Sequence, residues 1–99
     1  MGAIVLEIVT PAGLKLREAG LDEVVLRRRE PGRDLGSEVA VLRRHGPELI
    51  ATCAHELRFR RGGSVSKVAV GAGVAEVLDE HVTLLVMGSE ARPPRPAVS

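Results

Sequence analysis

The sequence contains no tryptophan and no tyrosine, and Phe59 is its only aromatic residue. A surface that recognises nucleic acid by stacking bases on aromatic faces has almost nothing to be built from. Cys53 is the single cysteine, so no disulfide closes within the chain, and the paired-cysteine spacing of a zinc site is missing. We read Cys53 as a small hydrophobe rather than a nucleophile. No apolar run approaches the roughly 20 residues that cross a bilayer as a helix, and the N-terminus lacks the pattern of a secretory leader. We expect a soluble protein, cytosolic or attached to a membrane through partners. Neither sign of charge dominates either: 14 Lys and Arg face 13 Asp and Glu, a formal charge of +1, which argues against a primary polyanion binder.

What remains is enough chain for one domain, 99 residues of which 44% are hydrophobic. With aromatics absent, its core is assembled from Val, Leu, Ile and Ala, a small-grained stock that suits many short strands.

Alternation confirms strand character, because residues two apart share one face of a strand. Ile4, Leu6 and Ile8 alternate with Val5, Glu7 and Val9; Leu14 and Leu16 with Lys15 and Arg17; Val24 and Leu26 with Glu23, Val25 and Arg27. Pro11-Ala12-Gly13 and Ala19-Gly20 supply turn chemistry between these runs. Periodicity stops from Arg27 to Ser37, a long polar loop, and resumes at Val39 and Val41 before the loop Arg43 to Pro47. In Pro47–Leu57 the residues Leu49, Ile50, Cys53 and Leu57 have helical spacing, whereas Ile50 and Thr52 suit a strand; we read strand. Glu56, Arg58 and Arg60 then alternate with Leu57 and Phe59, and Gly62-Gly63 makes a hairpin turn. The last strands are Lys67–Val70, Val74–Leu78 and His81–Met87, with Asp79-Glu80 turning between the final two. Gly71-Ala72-Gly73 reads as a bulge or tight turn, being too short to cradle a phosphate. The expectation is an all-β fold: an antiparallel β-sandwich or flattened barrel of about eight to ten short strands over residues 1–88. A Pro-rich tail, residues 89–99, is expected to be disordered.

No catalytic or metal constellation emerges. His45, His55 and His81 lack ligand spacing, and we read His55 and His81 as solvent-facing. No cofactor is expected. The arginines at 27–29, 33, 43, 44, 58, 60 and 61 motivate an alternative, a small basic nucleic-acid-binding β-barrel; solvated charge is the plainer reading. A small enzyme, suggested by His45 near Glu48, lacks a nucleophile and ranks last.

Three stretches share an order and spacing with a known family: Val5-Leu-Glu-Ile-Val-Thr-Pro11, Glu38-Val-Ala-Val-Leu-Arg-Arg-His-Gly-Pro47, and Lys67-Val-Ala-Val-Gly-Ala-Gly-Val-Ala-Glu-Val-Leu-Asp-Glu-His-Val-Thr-Leu-Leu-Val86. Together they resemble the N-terminal β-sandwich domain of the epsilon subunit of F-type ATP synthases. Ala40 and Arg43 depart from the family's Gly and Pro, and the Arg27–Ser37 loop is longer than usual. The resemblance implies a non-catalytic rotor subunit of the central stalk, peripheral at the cytoplasmic face of a bacterial inner membrane. It implies a gamma-subunit contact through Thr10, Pro11, Pro47, Leu49 and Ile50, and a c-ring contact through Ser37, Glu38, Arg43 and His45. The family's C-terminal two-helix hairpin has no counterpart here, so its regulatory and ATP-binding roles are not expected of this chain.

Overall fold

The computed structural model describes residues 2–32 and 36–87. The disordered-tail reading of 89–99, the domain boundary at 88 and Arg33 of the arginine set lie outside the described residues. Nine strands occupy most of the rest: β1 (Ile4–Thr10), β2 (Gly13–Leu21), β3 (Glu23–Arg28), β4 (Ser37–Val41), β5 (Glu48–Thr52), β6 (His55–Arg61), β7 (Ser64–Val70), β8 (Gly73–Leu78) and β9 (His81–Val86). No helix is present among the described residues, and hence none long and apolar enough to cross a membrane.

The strands hydrogen-bond in the order β2-β1-β9-β8-β5-β3-β6-β7, with β4 on the remaining side of β3. At the β5–β3 junction the ladder shrinks to one register pair, Arg28 with Thr52. Two backbone bonds hold that corner: the Arg29 N–H donates to the Ala51 carbonyl at 2.7 Å and the Cys53 N–H to the Arg27 carbonyl at 3.3 Å. There the sheet folds onto itself. One layer, β2-β1-β9-β8-β5, contributes Ile4, Leu6, Ile8, Val82, Leu84, Ala75, Val77 and Ile50 to the core. The other, β4-β3-β6-β7, contributes Val41, Val24, Leu26, Leu57 and Phe59. Burying each Leu or Ile side chain contributes about 1.5–3 kcal/mol, so the small-grained core predicted from composition is what holds the layers together.

The local turns follow from backbone chemistry. Asp79 and Glu80 both take positive φ, 52° and 62°, as a two-residue hairpin with right-handed strand twist demands, and Leu78 consequently pairs with His81. Gly62 does the same between β6 and β7 at φ 59°. Its N–H also donates to the Asp22 carboxylate at 2.7 Å, which ties this hairpin to the β2–β3 corner.

Three particulars differ from expectation. The pairing is antiparallel except between β1 and β9, which run parallel with Val5 opposite His81. Ala19-Gly20 is not a turn between strands: β2 continues to Leu21, and Gly20, at φ 69°, lies in a register shift against β1 that absorbs extra residues as a bulge. Pro47–Leu57 is strand, as read, but comprises two strands broken at Cys53-Ala54. Its apparent helical spacing arises because Leu49 and Ile50 are neighbours on opposite faces, one exposed and one buried.

His55, expected to face solvent, is half-buried beside the corner. Its Nδ1 lies 2.7 Å from the Cys53 carbonyl, so that nitrogen carries the donated proton; Nε2 is buried with no partner among the described residues. Burial pushes the imidazole below its ordinary value of 6.5, the Arg27 charge adds to this, and the Cys53 hydrogen bond opposes it. A basic group with a depressed folded-state pKa contributes stability that is complete above the unfolded value and is lost as pH falls through the folded one. Urea melts taken downward through the ordinary imidazole range should show declining stability, and His55→Gln should flatten that decline. An unchanged slope in His55→Gln would show that His55 is not its source.

Candidate docking surfaces

Charged side chains cluster where strands end. The Arg28 guanidinium bonds the Glu48 carboxylate at 2.8 Å, and the His45 ring meets the same carboxylate at 2.9 Å. Arg28 first, then His45, hold Glu48 below the usual carboxylate range. Arg43 reaches Glu80 of the β8–β9 turn at 3.4 Å, and the neighbouring Arg44 takes φ 66°. The loop after β4 and the β8–β9 turn therefore form one end of the domain, with a shallow depression between Arg44, His45, Pro47, Asp79 and Glu80.

The second layer's outward face is a lattice of ion pairs: Glu38 with Arg58 at 2.8 Å and Arg27 at 3.4 Å, and Arg60 with Glu23 at 3.4 Å. Arg61 bonds Glu18 at 2.7 Å beyond its edge. Six arginines of the basic set (27, 28, 43, 58, 60 and 61) are thus engaged by carboxylates. Phe59 is in the core at 7% exposure. Most of the features that motivated a nucleic-acid barrel are thus engaged within the domain, leaving Arg29 and Arg44 exposed, whereas phosphate binding needs a cluster of uncommitted cations and base stacking needs exposed rings. The His45–Glu48 pair likewise serves an ion cluster; the nearby Ser37 hydroxyl donates to Glu30 at 2.6 Å.

The outward face of the first layer differs. Residues directly opposite each other in a ladder share a face, and the registers Leu14–Val9, Val9–Leu85, Leu85–Val74 and Val74–Ala51 make one apolar row across all its strands. The next row reads Arg17, Glu7, Thr83, Glu76, Leu49. Glu7 is satisfied by Arg17 at 3.1 Å and His81 at 3.2 Å, and the His81 hydrogen bond, then Arg17, lowers its pKa. Leu49, Leu14 and Leu85 are 70%, 59% and 45% exposed. Isolated exposed leucines are ordinary, but a contiguous apolar row marks a contact surface.

Of the residues expected to hold gamma, Leu49 on β5 and Pro47 just before it border this face, and Pro11 lies at its β1–β2 end. Thr10 is buried in the turn, where its hydroxyl accepts from the Ala12 N–H at 3.1 Å and donates to the Gly13 carbonyl at 3.3 Å. Ile50 corrects the expectation of an exposed contact: it is fully buried in the core. The row between these markers, Val9, Leu14, Val74 and Leu85, escaped the sequence reading. Of the second set, Arg43 and His45 share the turn end and Ser37 connects to it through Arg28, its register partner. Glu38 instead points onto the ion-paired outer face.

No family model matches the chain. It is similar to the ATP synthase epsilon chain of Syntrophobacter fumaroxidans, 41% identical over 87 residues, covering 88% of this chain and 60% of that one. It is also similar to that of Alkalihalophilus pseudofirmus, 32% identical over 90 residues, covering 91% and 62%. This chain thus spans about three fifths of the length of those curated relatives. In fold it resembles a chain of the Tetrahymena thermophila mitochondrial ATP synthase central stalk and c-ring structure, with TM-score 0.65 and 14% identity over 89% of this chain and 67% of that one. Over about nine tenths of its length, in a β domain with that same fold, this chain is a relative of the ATP synthase epsilon chains.

Proposed function

We propose that this chain is a non-catalytic subunit of the central stalk of an F-type ATP synthase, holding the gamma subunit on one side and the c-ring at one end. The observation that carries this reading is the apolar row from Leu14 to Ala51, which no strand covers among the described residues. A rotor subunit transmits torque through such contacts and needs no reacting group. Gamma takes the outer face of the first layer, with Pro11, Pro47 and Leu49 at its margins. The c-ring takes the turn end, where Arg43 and His45 are the contacts and Ser37 stands behind them; Glu38, on the ion-paired outer face, would reach the ring only from the side. Its mixed charges suit a wet, polar interface that fixes orientation more than it adds affinity. Through these partners the chain is peripheral to the bacterial inner membrane, on its cytoplasmic side.

Association with gamma tests the subunit reading: the two chains, co-expressed, should purify together and stay together in high salt, because an apolar row is not screened. Failure to associate would remove the reading. Orientation is tested by cross-linking in assembled complexes in a Cys53→Ser background. The Val5 N–H bonds the Glu80 carbonyl at 3.0 Å, so the Thr10–Pro11 turn stands roughly 17–20 Å from the Arg43 end at about 3.3 Å per residue along β1. Arg43→Cys should cross-link to cysteines in the c-subunit loops, and Pro11→Cys should not. The reverse pattern would invert the docking.

A further inference from the structure

Resting on the proposed seating of a partner against the first layer's outer face, we infer that Glu76 determines specificity there, and that it pairs with a lysine or arginine carried by an otherwise apolar segment of that partner. Glu76 is exposed at the middle of β8 and has no hydrogen-bond or ion-pair partner among the described residues. Three of its neighbours on that face are apolar: Leu49 stands directly opposite on β5, and Val74 and Leu78 flank it on β8, while the uncharged Thr83 stands opposite on β9. With Pro47, Leu49 and Leu78, it lines a shallow groove at the β5–β8 margin, whose second carboxylate, Glu48, is held by Arg28 and His45. The face's other carboxylate, Glu7, is already satisfied by Arg17 and His81.

An uncompensated carboxylate among exposed leucines sets two conditions on what covers it. The partner must be apolar enough to gain from the leucines, and it must bring a cation, because a carboxylate buried without one is strongly penalised. A purely apolar segment is rejected by that penalty, and an acidic one by repulsion, which is how an unpaired charge confers selectivity. A second copy of this chain does not fit the same description. Among the described residues, Arg17 of its corresponding face is committed to Glu7 and Lys15 of β2 is engaged as well, so an isologous pairing would offer Glu76 no uncommitted cation from these strands. An anionic bilayer is disfavoured by the same charge.

The test measures binding of the gamma chain from the same organism to wild type, Glu76→Gln, Glu76→Lys and Glu56→Gln. Glu56 is a matched control, an exposed carboxylate on β6 that also lacks a partner among the described residues but lies in the other layer. Melting temperatures should coincide, since none of the substitutions removes an internal contact. Glu76→Gln should weaken binding about tenfold and Glu76→Lys about a hundredfold, as expected when a partner cation loses or meets opposition from its counter-charge. Glu56→Gln should bind as wild type does. Wild-type affinity in both Glu76 variants would overturn the inference while leaving the stalk reading standing. No binding by wild type would overturn both. A wild-type dimer dispersed by Leu49→Asp would also overturn it, by making a second copy the occupant.

Discussion

Ile50→Asp is expected to leave no folded domain, whereas Leu49→Asp, one residue away, should melt within a few degrees of wild type and fail to bind gamma. Ile50 has no exposed surface and pairs with Ala75 inside the core, while Leu49 is 70% exposed. Truncating a buried aliphatic side chain costs about 2–5 kcal/mol, and a carboxyl group in its place adds the penalty of burying an unpartnered polar group. The sum is comparable to the whole stability of a small domain, about 5–15 kcal/mol. At Leu49 the new carboxylate stays in water, and a surface substitution there changes stability by about 1 kcal/mol or less. Circular dichroism melts check folding and calorimetric titration checks binding. A folded Ile50→Asp chain that melts like wild type would contradict the inward assignment of Ile50. Undiminished gamma binding by Leu49→Asp would remove the outer face as the contact.

Gly73→Ala should lower stability by about 3 kcal/mol, the upper range for overpacking, which corresponds to a fall in melting temperature of roughly 12–24 °C for a domain of this size. Gly73 opens β8 with ordinary extended geometry, so its need for glycine is steric. A side chain of a single carbon would collide with the Leu85 carbonyl oxygen and crowd the backbone of Val86. Those are ladder atoms of the neighbouring strand, in register with Val74 and Gly73; relief requires pulling β8 from β9. Gly46, with nothing near its would-be Cβ, is the comparison site, where alanine should be tolerated. Equal melting temperatures for the two variants would disprove the steric account.

The strands were legible because β3 and β6 alternate apolar and charged side chains over most of their length and the turns carry residues of evident use, Gly62-Gly63 and Asp79-Glu80 among them. Orientation was less legible where both parities are apolar. Leu49 and Ile50 are nearly interchangeable in hydropathy, and only the partner strand decides which enters the core. The same ambiguity hid the outer row. Val82–Val86 has aliphatic residues on both faces, and one parity reads as redundant core until Leu85 is seen outside. A signal was available: a run without alternation in a strand of an otherwise one-sided sheet implies a second surface to cover. The parallel β1–β9 pair left no local trace, because its partners come from opposite ends of the chain and no turn announces them. Gly20 was misread because a left-handed glycine serves a bulge as well as a turn.

That parallel pair also imposes an order of events during synthesis. β3, β4, β6 and β7 are complete once Val70 has been made, but β1 has only its hairpin partner β2 until His81–Val86 emerges to pair with it. A two-stranded hairpin is marginal alone. The first layer therefore closes in one late step that joins the earliest strand to the last, a high-contact-order event. Until then the inward leucines and valines of the second layer have no lid. A ribosome that pauses before β9 holds an adhesive half-domain, and the interval spent in that state is set by translation rather than by the stability of the finished fold.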